Sequence, residues 1–270
     1  MSDSGINMVV IDLGEGVRYR SHPELGVRGS WSVEELQEEL EWIKKMGIEP
    51  IPKLNFSATH DVWLGEYSRC VSTPLYYKVC SDLIKEVTTI FNVPRFFHLG
   101  MDEESAQFVS SQKEYQYIVV RQNELWWHDL KFMVKCVEKR AVRAWVWSDY
   151  LWDHPEEYIK NMPHTVLQSN WYYVNPYKKI SSTSTTWKKT WRDAFIKLSE
   201  TGFKQIPAAS ICAYKENISD LARYCLQKIN TPGLQGFMQT SWLPTTQEFY
   251  EKHILAIDAT KDAIEAYDRM

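Results

Sequence analysis

The chain has 270 residues, enough to bury a full core as one large α/β domain, and a formal net charge of -4 with Lys and Arg scattered among Asp and Glu. Scattered charge of this kind excludes the basic stripe that nucleic acid requires and gives no attraction to an anionic membrane. No run approaches 18 consecutive apolar residues and no leader or lipidation signal is evident, so the chain as given reads as soluble and cytoplasmic, with a secreted parent as the other case.

Short β-rich runs alternate with helical periodicities. The first run, 8–13, is followed by SVEELQEELEWIKKMG. There Ser32 and Glu35 have capping-box spacing, Val33, Leu36, Leu40 and Ile43 share a face, and Gly47 terminates. Runs at 49–55, 95–100, 142–148, 165–171, 205–211 and 234–241 follow. Helical patterns lie at 74–91, 113–139, 155–161, 184–200, 219–229 and 246–267. This alternation implies a parallel sheet covered by helices. Seven near-continuous apolar strands without a glycine-rich phosphate fingerprint favour a TIM (β/α)8-like barrel over an open doubly wound sheet. No linker or repeat divides it, so residues 1–270 read as a single catalytic-type barrel domain. The five cysteines (Cys70, Cys80, Cys136, Cys212, Cys225) have no metal-site or CxxC spacing and are expected to be mostly buried thiols in a reducing compartment.

Polar and aromatic residues collect where the runs end: Asp12 after the first, Asn55 and His60 after the second, Asp102, Glu103 and Glu104 after the third, Trp147 and Asp149 after the fourth. Trp171, Tyr172 and Tyr173 follow the fifth, and Trp242 the seventh. In a βα barrel these positions converge on one mouth. The chain carries 12 Trp, 15 Tyr and 10 Phe; such rings fill cores, and their flat faces also suit the C–H faces of sugars. The acids in FFHLGMDEES could do chemistry at the mouth, or cap and solvate the following helix, the role expected for Glu104. The histidines do not form a spaced ligand set, so no metal or other cofactor is expected.

The strand end His98-Leu99-Gly100-Met101-Asp102-Glu103 resembles the His-x-Gly-Gly-Asp-Glu signature of glycoside hydrolase family 20, the β-N-acetylhexosaminidases, with Met101 in place of the second glycine. IEPIPKLNFSATH resembles the segment Ile-Pro-Glu-Ile-Asp-x-Pro-Gly-His, with Lys53 for the glutamate and Asn55 for the aspartate. AWVWSDYLW, VLQSNWYY and GFMQTSWLPT resemble the family's Trp-x-Asp element and two later tryptophan-bearing strands. Residues 8–13 resemble its second strand, so the first strand has no counterpart: the resemblance implies either a fragment or variant whose barrel is incomplete at the N-terminus, or an edge closed by another segment or a second copy of the chain.

The resemblance implies retaining hydrolysis of terminal N-acetylhexosamine with substrate assistance, in which the sugar's acetamido oxygen attacks its own anomeric carbon. Glu103 would be the acid and then the base, and Asp102 would orient the acetamido group. An adjacent negative charge helps to keep a proton on the acid. Trp147, Trp171 and Trp242 would wall the sugar, Tyr172 or Tyr173 would donate to the acetamido oxygen, His60 would support the acid, and Asp12 and Asp149 would bind hydroxyls. Two alternatives stay open: a barrel that binds glycans without cleaving them, and a glycosidase for sugars without the acetamido group that uses Asp12 or Asp149 as nucleophile.

Overall fold

The computed structural model describes residues 1–104, 118–174, 186–230 and 232–268; residues 113–117 and 184–185 of two expected helices lie outside the described residues. The chain divides into two compact units, Met8–Tyr150 and Met1–Asn7 with Leu151–Met270.

In the first unit β1 (Met8–Asp12), β2 (Glu49–Lys53), β3 (Phe96–His98) and β4 (Arg143–Trp147) run parallel in chain order. Parallel neighbours need a long return path, which helices α1 (Val33–Lys45), α2 (Pro74–Ile90) and α3 (Asn123–Glu138) supply. At the start of α1 the capping box forms: Ser32 Oγ accepts from the Glu35 N–H (3.2 Å), and Glu35 Oε2 accepts from the Ser32 N–H (2.7 Å). Pro74 opens α2 behind the Thr73 cap, and the helix buries Val79, Cys80, Leu83, Ile84 and Val87 along one stripe. Helix α3 buries Trp126, Leu130, Met133, Val134 and Val137, with Trp126 stacked on Tyr150 at 4.0 Å.

Register positions the site. Asp12 lies opposite Lys53, Lys53 opposite His98, and His98 opposite Trp145, so the carboxyl ends of four strands form one row. Beyond it the Leu54 N–H donates to the His98 carbonyl (3.1 Å) and the Phe56 N–H to the Leu99 carbonyl (3.0 Å). The segments that follow β2 and β3 therefore leave the sheet side by side.

The second unit holds β5 (Leu167–Ser169), β6 (Ala208–Ser210) and β7 (Met238–Thr240) with α4 (Pro155–Asn161), α5 (Thr186–Glu200), α6 (Asn217–Lys228) and α7 (Tyr250–Asp268). Strands β6 and β7 are parallel, and bridges at Gln168–Gln205 and Trp171–Ala208 link β5 to β6. Its core gathers Phe195 from α5, Ile218, Leu221 and Cys225 from α6, and Ala259 and Ala263 from α7 around Tyr172 and Ala209.

Each expected run contains a strand, and the pairings within each unit are all parallel; a closed ring is not among them. The cysteine expectation is corrected. All five are free, but only Cys80 and Cys225 are buried, and Cys212 is exposed because it sits in the turn after β6. Among the described residues no helix is long and apolar enough to cross a membrane.

Candidate active site

The chain leaves β3 through a run of left-handed backbone: φ is +73° at Gly100, +71° at Met101 and +57° at Glu103. A Cβ at position 100 would lie 1.9 Å from Asn55 Oδ1 and 2.8 Å from Asn55 Cα, so that position admits only glycine. Met101 is buried in the same conformation, where a side chain costs about 1–2 kcal/mol. The structure thus explains the second glycine of the motif that this stretch resembles, and shows Met101 accepting the strain instead.

This turn sets Asp102 and Glu103 against the segment after β2. Asn55 Nδ2 donates to Asp102 Oδ1 (2.8 Å), while Asn55 Oδ1 accepts from the backbone N–H of Ser57 (3.0 Å) and of Met101 (3.3 Å). The Asp102 carbonyl accepts from Ser57 Oγ (2.5 Å) and Thr59 Oγ1 (3.2 Å). An ionised aspartate at 55 could not donate to Asp102; the asparagine can.

His60 Nε2 lies 3.0 Å from Glu103 Oε2 and 3.4 Å from Asp102 Oδ2. Burial works against the imidazolium, but the Glu103 hydrogen bond and the Asp102 and Glu103 charges outweigh it and raise the His60 pKa. One hydrogen bond therefore ties the Glu103 carboxyl to the His60 ring. These three side chains are also the one place among the described residues where three ligand-type atoms lie within 4.8 Å of one another. The hydrogen bond already engages two of them, and no metal is assigned.

Asp149, beyond the end of β4, accepts the Glu103 N–H on Oδ2 (2.7 Å), while its Oδ1 is buried without a partner among the described residues. Burial, reinforced by the Asp102 charge, pushes its pKa well above the usual carboxylate range. Asp12 is half-exposed and ion-paired with the buried Lys53. Neither aspartate presents a free anionic nucleophile. Trp147 is 2% exposed and packs against His98, ring centroids 5.0 Å apart, so it underlies the site rather than walling it at the surface. His98 accepts the Gly100 N–H on Nδ1 (3.0 Å), and burial, then the Lys53 charge, holds its pKa well below the usual value. It is a neutral strut of the turn.

Glu104, expected as a capping acid, is engaged elsewhere among the described residues. It is fully buried and accepts from Arg121 Nη2 (2.5 Å), Nε (2.6 Å) and N–H (3.0 Å) and from the Ala58 N–H (3.0 Å). Arg121, also fully buried, donates to the Phe56 carbonyl (2.6 Å) and lies 3.3 Å from Asp129 Oδ2. The third acid thus braces the His60 segment to the Asp102–Glu103 turn. Arg121 is the partner that sequence reasoning missed, and Lys53 and Asn55, though placed at the strand end, were given no role. A lone polar residue has no spacing to betray it, although the alternation Asn55-Ser57-Thr59 after an apolar strand was a usable signal.

In the second unit Trp171 stacks on Tyr173 (5.0 Å, 19°) and meets Trp152 edge-on (4.5 Å, 71°). Trp152 stacks on Trp191 (4.2 Å) and donates its Nε1–H to Asn170 Oδ1 (2.8 Å). Trp242, 48% exposed, lies 6.5 Å from Tyr173. Tyr172 points the other way: it is 1% exposed and packs in that unit's core, so of the two tyrosines only Tyr173 joins the aromatic surface.

Residues 21–253 match the profile of glycosyl hydrolase family 20, catalytic domain. Among solved structures, the β-N-acetylhexosaminidase from Bacteroides fragilis NCTC 9343 is similar with a TM-score of 0.65 at 15% identity, over 96% of this chain and 60% of that one. The exo-β-N-acetylglucosaminidase from Vibrio harveyi, solved with N-acetylglucosamine, gives 0.64 at 13% identity over 97% and 52%. Dispersin B gives 0.56 at 17% over 87% and 76%. The chain thus spans less than two thirds of the first two structures. No curated protein matches it. At these identities the likeness shows the fold, an α/β chain of the TIM-barrel class.

Proposed function

Because this chain belongs to glycosyl hydrolase family 20, we propose that it is a glycoside hydrolase that removes terminal N-acetylhexosamine by a retaining, substrate-assisted mechanism. One observation carries the reading: the Asp102 and Glu103 carboxylates converge on a single imidazole nitrogen, at 3.4 and 3.0 Å.

In the first step the acetamido oxygen bonds to the anomeric carbon as the glycosidic C–O bond breaks. The departing oxygen takes a proton from Glu103, which His60 holds in place. Asp102, held by Asn55, accepts the acetamido N–H and offsets the positive charge of the oxazolinium ring. In the second step Glu103, now a carboxylate, takes a proton from water, the water oxygen bonds to the anomeric carbon, and the ring opens to the free sugar. Trp171, Tyr173 and Trp242 offer flat apolar faces of the kind on which sugars stack.

A second reading, glycan binding without cleavage, is favoured by one feature: Lys53, standing where the motif has glutamate, neutralises Asp12. A chromogenic N-acetylglucosaminide and the matching plain glucoside, assayed with Glu103→Gln and Asp102→Asn beside the parent, separate the readings. Turnover of the N-acetyl substrate alone, lost by about 10²–10⁴-fold in Glu103→Gln, supports hydrolysis. Sugar binding without turnover in the parent supports the second reading.

A further inference from the structure

We propose that Asp149 is a positioning residue that works without its negative charge, holding the backbone of Glu103 so that the acid stays on His60. The inference rests on the assignment of Glu103 as the acid. Three features carry it. Glu103 sits at φ +57°, a conformation that a non-glycine residue keeps only when its surroundings hold it there. The holding contact is the Glu103 N–H to Asp149 Oδ2 bond of 2.7 Å, made across the gap between the ends of β3 and β4. Asp149 itself is 8% exposed, and no cation pairs with it among the described residues.

The titratable groups that face Asp149 are Asp102 and Glu103, both acids, so ionising it would bury a negative charge beside carboxyl groups. The neutral acid is the less costly state: Oδ2 accepts the amide hydrogen, and a proton on Oδ1, which has no partner among the described residues, removes the buried charge. Burial and the neighbouring charges both push the group that way. An asparagine reproduces this state, with its carbonyl oxygen accepting from Glu103 and its amide in place of the protonated oxygen. A carboxylate that bound a sugar hydroxyl as an anion, or attacked an anomeric carbon, could not be replaced so.

The test compares Asp149→Asn and Asp149→Ala with the parent in two measurements. In steady-state cleavage of a chromogenic N-acetylglucosaminide, Asp149→Asn keeps kcat within about 3-fold, whereas Asp149→Ala lowers kcat roughly 10²-fold at little-changed KM, the effect of misplacing a reacting group. In thermal melts from pH 4 to pH 8, the parent bears the cost of a carboxyl that is neutral when folded and ionised when unfolded. Asp149→Asn therefore gains on the parent as pH rises. Equal loss of kcat in both variants, or none in Asp149→Ala, overturns the proposal. So does an Asp149→Asn variant that loses stability against the parent as pH rises. A parent inactive on every N-acetylhexosaminide would refute the hydrolase reading, and the melts would still decide the charge state of Asp149.

Discussion

Replacing Glu104 by Gln tests the brace beneath the site. Glu104 and Arg121 are both fully buried, and among the described residues Glu104 accepts four hydrogen bonds, three from Arg121 and one from the Ala58 N–H. Glutamine removes the charge that compensates the guanidinium and turns one acceptor into a donor facing donors. Breaking one side of a buried pair costs about 3–5 kcal/mol, because the surviving charge is left without compensation. Asp129, 3.3 Å from Arg121, offsets part of that cost, so the lower end is expected. Arg121→Met costs a similar amount, since among the described residues it leaves the buried Glu104 carboxylate with backbone donors alone, the N–H groups of residues 58 and 121, and no compensating charge. The double variant should be less destabilised than the sum of the singles by about 1–3 kcal/mol, because neither charge is then stranded. Urea unfolding at pH 7, followed by tryptophan fluorescence, reads each value as a shift in midpoint. A Glu104→Gln variant within about 0.5 kcal/mol of the parent, the range of ordinary surface changes, would refute the brace. So would strict additivity in the double.

Gly100→Ala should be the most damaging small substitution near the site. Its Cβ must displace Asn55 at a backbone angle that alanine resists, and both melting temperature and kcat fall, while Ala at the exposed Gly29 leaves kcat unchanged. For His60, the raised pKa means that its contribution to stability is fully present below the unfolded value of about 6.5 and is lost as pH rises through the folded one. The parent's advantage over His60→Asn, from melts between pH 5.5 and 9, should therefore shrink with rising pH; an advantage that grows contradicts the pairing. Asp61 carries the opposite sign. Burial, opposed by Arg121 and aided by Glu104, pushes it up to about 7, so the fold loses stability between about pH 4 and pH 7 as the unfolded chain ionises. Asp61→Asn should remove that loss, and a pH-independent difference in melting temperature would contradict it.

The strands were legible because each is a short apolar run closed by polar or glycine residues, and a buried parallel strand leaves that trace. Their ends were not. Residues 95–100 read as one run, but Gly100 and Met101 adopt left-handed angles and β3 stops at His98, which is what turns Asp102 and Glu103 out of the sheet. The paired acids were visible as a motif, whereas their supports came from elsewhere in the chain. Arg121 is 17 residues from Glu104, and Asn55 is 47 from Asp102. Tyr172 and Tyr173 could not be told apart without the backbone, because neighbours in an extended segment face opposite ways. Glu104 read as a capping acid because three adjacent acids normally stay in water, and only the buried Arg121 reverses that expectation.

The central claim, that the substrate's own acetamido oxygen is the nucleophile, is tested most directly by fluorinating the acetamido methyl of a chromogenic N-acetylglucosaminide. Each fluorine withdraws electrons from that oxygen and leaves the leaving group untouched. The account predicts that kcat/KM falls steeply from the acetyl to the mono-, di- and trifluoroacetyl substrate. A kcat/KM that stays level across the series would contradict it.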